Sequence, residues 1–316
     1  MNTEAAPAIR KTAAHLLNSG QRLLNSSLAE LSDLRPAGLA YLEEVWLQIA
    51  LKRRRQIVSR LAELAEDDVQ LSFNAIFKML LADPDEEVRT SAIGGLWENE
   101  EPSLIEPLIG LLQEDNAAKV RAAAATALGR FALLAEHGRL RPETADRVRQ
   151  ALLAALADDG LPAELKRRVL EAASPLSLPQ VKEAIRAAYE AVNPSLRVGA
   201  VYAMGKNYDP AWLPTLLEEV SSSSAEMRYE AATACGELEE EAAVPCLIKL
   251  SDDTDTEVQL AAIQALGKIG GDRARKCLES LADHPRESVR QVAGDAIATL
   301  DEMAGPLSFG FDDEVV

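Results

Sequence analysis

Residues 227–271 read MRYEAATACGELEEEAAVPCLIKLSDDTDTEVQLAAIQALGKIGG, and the end of this stretch copies its beginning. Met227-Arg228 returns as Val258-Gln259, Ala231 as Ala262, Ala234 as Ala265 and Cys235-Gly236 as Leu266-Gly267, each 31 residues later. A fixed period of this length marks a chain of stacked supersecondary units, none of which can bury its apolar side alone. Working outward, the apolar residue before the basic one recurs as Val88, Val120, Leu165, Leu196, Met227, Val258 and Val289, at intervals of 32, 45, 31, 31, 31 and 31.

The residue after each anchor is Arg89, Arg121, Lys166, Arg197, Arg228, Gln259 or Arg290. Four after it, alanine stands in six of the seven units (Ala92, Ala124, Ala200, Ala231, Ala262, Ala293). Anchor, +4, +7, +8 and +11 fall on one stripe at 3.6 residues per turn, so the second helix of each unit buries a narrow face of small residues. Glycine recurs at +9 as Gly129, Gly205, Gly236 and Gly267. At that phase it marks either a close approach to the next helix or a helix end.

A shorter helix precedes each of these, as in Leu104–Leu112 and Val244–Leu250. Pro107, Pro214 and Pro245 each lie 13 residues before their anchor, where a proline beyond the first turn would kink the helix. Helix starts are predicted at Asp83-Pro84, at Asn193-Pro194 and at a capping box, Ser223 with Glu226. Val, Ile and Thr occur singly at helical spacing, without the alternation of strands. The 45-residue interval predicts two long helices around a loop at 137–142, with Pro142 opening the second. Residues 1–66 fit the template poorly and read as an N-terminal helical cap: one or two helices ended by 33–38, then a helical stripe broken by Lys52–Arg55. Residues 67–303 form the solenoid, and 304–316 an irregular acidic tail whose Phe309 and Phe311 beside Asp312–Glu314 suit either a binding motif or a cap. The fold class is all-α, a right-handed α–α superhelix of about seven helical hairpins.

Apolar residues make up 47% of the chain and aromatics only 4%, which suits closely packed Ala- and Leu-rich helices. No apolar run approaches the roughly 20 residues of a membrane span, and MNTEAAPAIRK is not a signal sequence, so the expected location is cytoplasmic. A net charge of -18 speaks against nucleic acid, whose phosphates demand Lys and Arg. It leaves room for a basic protein partner or simply for solubility. Cys235, Cys246 and Cys277 form no metal or disulfide pattern and read as packing residues.

The aspartate five before the anchor (Asp83, Asp115, Asp253), the apolar–Arg pair, Ala at +4 and the proline of the first helix resemble the HEAT repeat. The Ala127-Leu-Gly129 and Ala265-Leu-Gly267 endings are similar to a bacterial subtype also found in phycobilisome lyases. That resemblance implies protein-binding scaffolds, and only occasionally enzymes. It further implies an inter-repeat ladder between turn aspartates and second-helix arginines, drawn here from Asp83, Arg89, Asp115, Arg121, Arg197, Arg228 and Asp253. Ser222, Gln259 and His284 depart from the pattern, so the ladder is expected to be incomplete toward the C-terminus.

Phosphate loops, hydrolytic triads and zinc motifs do not occur in the sequence, and His15, His137 and His284 lie far apart. No catalytic residue, metal or cofactor is therefore assigned. The di-iron hydroxylase of this repeat class needs repeated His-Glu pairs, and its DNA glycosylases need a basic face. If the second helices line a concave wall, as the resemblance implies, positions +2, +6 and +10 face the groove. The candidate partner-binding residues are Arg130, Arg167, Tyr202, Lys206, Tyr208, Trp212, Tyr229 and Lys268, with Tyr202 and Tyr229 in adjacent units as aromatic anchors. Tyr208 and Trp212 equally suit sealing the joint between units. Between Glu218 and Glu257 twelve acids face only Arg228 and Lys249, a net of -10 that suits a basic partner, end-to-end self-association or plain solvation. The leading expectation is a non-catalytic scaffold or adaptor. The alternative is a phycobilisome-lyase-like chaperone or lyase acting on a tetrapyrrole-bearing protein.

Overall fold

The computed structural model describes residues 7–303, which divide into two compact units at Ala172/Ala173. Helices alone occur among the described residues. The first unit holds α1 (Pro7–Leu17), α2 (Asn25–Ala29), α3 (Pro36–Trp46), α4 (Leu51–Asp67), α5 (Asn74–Leu80), α6 (Glu86–Gly95), α7 (Ile105–Glu114), α8 (Ala118–Glu136), α9 (Pro142–Leu156) and α10 (Ala163–Ala173). The second holds α11 (Pro179–Tyr189), α12 (Pro194–Lys206), α13 (Leu213–Glu219), α14 (Ala225–Leu238), α15 (Val244–Leu250), α16 (Thr256–Ile269), α17 (Gly271–Leu281) and α18 (Glu287–Met303). Within each unit the helices pair into hairpins whose apolar stripes meet, the arrangement of a repeat solenoid. The tail 304–316, with Phe309 and Phe311, lies outside the described residues.

All six +4 alanines, and Val169 in the seventh unit, are fully buried at 0% exposure, so the small-residue stripe is the seam between consecutive second helices. The recurring glycine is what allows that seam to close. A Cβ built on Gly205 would stand 2.7 Å from the Cα of Ala234, on Gly236 2.8 Å from the Cβ of Ala265, and on Gly267 2.7 Å from the Cβ of Ala296. In the first unit Gly129 meets the Cα of Ala172 at 3.0 Å in the same way. The +9 glycine of one helix therefore docks on the +7 alanine of the next; Gly129 lies in mid-helix, and Gly205, Gly236 and Gly267 lie in the last turn of theirs. Helices α12, α14, α16 and α18 pack closely in sequence, while their partners α11, α13, α15 and α17 touch one another little. Tight spacing on one side and loose spacing on the other put the second helices on the inner wall of this unit.

Several local expectations change. Pro107, Pro214 and Pro245 do not kink helices. A 3₁₀ turn precedes each of α7, α13 and α15, and the prolines sit in the first α-helical turn, where the missing N–H has no intrahelical acceptor. The cap of α6 is Asp85, which accepts from the Val88 N–H, rather than Asp83. Ser224, not Ser223, caps α14 by accepting from the Met227 N–H, so the cap lies one residue later than predicted and Met227, not Glu226, stands three residues after it. Asn193 caps α12 as its sequence indicates. Pro36 opens α3, so 33–38 starts a helix as well as stopping one. Lys52–Arg55 does not interrupt a helix; it lies in the first turns of α4, with Arg53 and Arg54 buried. Helix α4 packs on α6 as α6 packs on α8, so α4, within the cap segment, continues the row of second helices. The long interval contains a 19-residue α8 and a 15-residue α9, joined by a loop in which Gly138 takes φ +67° and Pro142 opens α9.

Candidate functional site

The turn aspartates and second-helix arginines meet at two joints. Arg89 donates through Nε and Nη2 to Asp115 at 2.7 and 2.8 Å, and Arg228 does the same to Asp253 at 2.8 and 2.9 Å. Each arginine also donates to a carbonyl of its own turn, Asp83 O and Ser222 O respectively. Each aspartate accepts a second bond from the N–H two residues on, Ala117 or Asp255. These bidentate bonds tie the turn of one hairpin to the next. Hydrogen bonding from Arg228, against the opposing effect of burial, holds the Asp253 carboxyl below the usual carboxylate range. For Asp115 burial pushes upward, and the bonds from Arg89 and the Ala117 N–H outweigh it.

Elsewhere the ladder is built differently. Arg121 donates to Leu112 O at 2.8 Å, because no aspartate follows at the right distance. Arg197 reaches Glu219 at 3.3 Å, which also accepts from Tyr189 Oη at 2.6 Å; burial and that carboxylate push the Tyr189 phenol up to about 12. Gln259 donates to Ser251 O at 2.5 Å, and its Oε1 is buried without a partner among the described residues. Asp83 serves the preceding hairpin, accepting from Trp46 Nε1 at 2.6 Å and pairing with Arg54 at 3.4 Å. Sequence reasoning missed that rung because α4 lacks the apolar–Arg signature at its anchor position.

On the inner wall of the second unit, Glu237 of α14 gathers three candidates around one carboxylate. Lys206 of α12 stands 3.1 Å from its Oε1, Lys268 of α16 stands 2.7 Å from the same oxygen, and Tyr208 Oη donates to Oε2 at 3.3 Å. Burial raises the Glu237 carboxyl, but the two ammonium groups outweigh it and hold it below its ordinary range. Lys206 and Tyr208 come from the hairpin before it and Lys268 from the hairpin after it, so this carboxylate bridges three hairpins. The sequence shows Glu237 at a groove position but gives no sign of this role, since the lysines lie 31 residues before and after it.

Tyr208 takes φ +53°, Glu239 +54° and Gly270 +71°. All three occupy the +12 position, so a positive φ recurs at the exit of these three second helices; Gly270, at ψ -155°, takes a conformation suited to glycine, whereas Tyr208 and Glu239 carry side chains there. That geometry leaves the Tyr208 ring 49% exposed; Tyr229, on α14, is 38% exposed. Tyr202 is half-buried beside them on the same wall. Trp212 is a correction. It is 5% exposed, its Nε1 donates to Asn207 Oδ1 at 3.1 Å, and Arg186 lies over its ring at 5.3 Å, so it seals a joint and presents no surface. Asn207 in turn donates to Ser174 O and Leu176 O, fixing the loop before α11.

The two candidates of the first unit are also engaged within it. Arg130 is half-buried and donates to Leu96 O and Asn99 O, and burial lowers its guanidinium below the usual value. Arg167 pairs with Glu171 at 2.7 Å. Both are half-buried and engaged by partners of their own unit. Among the described residues no cluster of His, Cys, Asp and Glu can hold a metal ion, and no helix is long and apolar enough to cross a membrane.

No curated protein sequence matches the chain. Among solved structures it is similar to the CpcE and CpcF complex of phycocyanin lyase from Nostoc sp. PCC7120, at 16% identity and TM-score 0.53, covering 90% of this chain and 97% of that one. It is similar to yeast importin-beta (Kap95p) at 14% identity and TM-score 0.52, covering 95% of this chain and 47% of that one. At such identities the likeness concerns fold alone. The family model for HEAT repeats matches residues 73–161 and 213–298, together more than half of the sequence, and the chain belongs to that family.

Proposed function

We propose that the chain is a non-catalytic scaffold whose inner wall of α12, α14 and α16 docks a basic segment of another protein. The observation that carries this reading is the pair of exposed rings, Tyr208 and Tyr229, set beside a wall whose own charges are already locked by Glu237. Exposed aromatic side chains on a rigid support are the usual energetic anchors of an interface, and a preformed wall avoids much of the ordering cost of binding. The acids Glu239, Glu241, Asp252 and Glu257 are exposed around this wall and set the charge of the partner. A cytoplasmic location and self-association through the same strip belong to the same reading. The lyase-like alternative rests on the Ala-Leu-Gly endings and on the likeness to the CpcE and CpcF complex.

Affinity capture with the immobilised chain, followed by binding of the purified partner to Tyr208→Ala and Tyr229→Ala variants, tests the scaffold. A weakening of about 30-fold is expected for the stronger anchor, with an unchanged melting transition. Affinity should also fall as salt is raised. Equal affinity in wild type and both variants would end the reading, and a visible absorption band in the purified protein would favour the lyase-like one.

A further inference from the structure

Arg53 is a buried cation with no anion beside it among the described residues. It is 6% exposed, and its Nε and Nη2 have no hydrogen-bond partner among the described residues. Its neighbour Arg54, equally buried, has Asp83 at 3.4 Å. An arginine taken out of water is costly unless its charge is met, and guanidinium cannot shed its proton to escape. Arg53 instead lines a pocket of about 460 Å³ between α4 and the loop after α1, together with Arg22, Arg60, Gln56 and Ser59.

The rest of the pocket sharpens the imbalance. Three arginines line it against the single carboxylate of Glu63, and that carboxylate is committed to Arg60. The Arg60 bond, against a smaller effect of burial, holds Glu63 below its usual range. Arg60 is oriented from a second side by Asn25 Oδ1 at 2.9 Å. The backbone of Arg22 is fixed through its carbonyl, 3.1 Å from His15 Nε2. Arg53, Gln56 and Arg60 stand at i, i+3 and i+7 of α4, so one helix face presents two guanidinium groups and an amide. In a chain of net charge -18, this is a local excess of two positive charges around an open concavity.

We propose that this pocket is an oxyanion site that takes a phosphate-type dianion, either free or carried on a phosphorylated side chain. A tetrahedral dianion supplies acceptor oxygens to the arginine donors that Glu63 and Asn25 leave free, and it cancels the charge excess. The site is independent of the docking wall in the second unit.

The test is calorimetric titration of the full chain with inorganic phosphate and, separately, with a short phosphoserine peptide, at constant ionic strength. Saturable binding is expected, with Arg53→Met weakening it about tenfold or more. Arg55→Met, which removes the same charge from an exposed arginine paired with Asp85 outside the pocket, should leave it unchanged. If Arg53→Met does not fold, Arg60→Gln should weaken binding in the same direction. Tighter binding of the peptide assigns the anion to a modified protein, and equal affinities assign it to free phosphate. Equal losses in Arg53→Met and Arg55→Met, or no saturable binding of either probe, would overturn the proposal.

Discussion

A Cβ on Gly236 would stand 2.8 Å from the Cβ of Ala265, closer than two side chains can approach, so the two helices meet where one has no side chain at all. Gly236→Ala gains helix propensity of about 1 kcal/mol but forces the seam apart at a cost of about 1–3 kcal/mol. A net loss in denaturant midpoint is expected. Gly110, inside α7, has nothing within 4 Å of its Cβ direction, and Gly110→Ala should raise stability by up to about 1 kcal/mol. Opposite signs for the two substitutions, measured by urea unfolding, check the packing directly.

The Arg228–Asp253 rung should be worth about 2 kcal/mol, because the bidentate bond is charged on both sides and mostly shielded from water. Arg228→Ala removes it, and Arg228→Lys restores only part, since an ammonium cannot form the two parallel bonds. The pH dependence has a definite sign. The folded-state carboxyl of Asp253 is depressed, so its contribution is present above the unfolded carboxylate range and is lost as pH falls through the lower folded value. Stability of Arg228→Ala should therefore fall less steeply on acidification than that of wild type.

Trp212 carries an indole hydrogen bond into the Asn207 network as well as its buried surface. Trp212→Ala is expected to cost about 3–5 kcal/mol, and Trp212→Phe less, through a single lost bond. Thermal unfolding of the two variants measures this. Tyr208→Ala, by contrast, keeps the Cβ at a positive φ and removes only a half-exposed ring, so it should change the midpoint little.

Burial, with a smaller effect from Cys246, pushes the Cys235 thiol up to about 12, whereas Cys246 and Cys277 are half-buried. Iodoacetamide at pH 8 should label the latter two in the folded protein and all three in denaturant, as counted by mass spectrometry. Early labelling of Cys235 would show that the α14–α16 seam opens.

Of the fold, the period alone identified helical hairpins, their order and the buried alanine stripe, because a helix must bury the same face each time the motif returns. Helix starts were harder to place: Ser223 and Ser224 offer the same hydroxyl one residue apart, and only the backbone geometry selects Ser224. The prolines show the same limit, since whether a proline kinks a helix depends on where the preceding 3₁₀ turn ends.

The candidate site was legible in residue type but not in exposure. Tyr208 and Trp212 are four residues apart and look equivalent in sequence, yet one ring faces solvent and the other is buried. The sequence by itself determined that the chain is a row of helical hairpins with a fixed seam, because periodic burial is a local demand repeated along one strand of information. Which arginines are paired, that Glu237 joins three units, and that Arg53 has no anion among the described residues were decided only by the tertiary structure. Those relationships depend on side chains brought together from different hairpins, and charge compensation across such joints leaves no periodic mark.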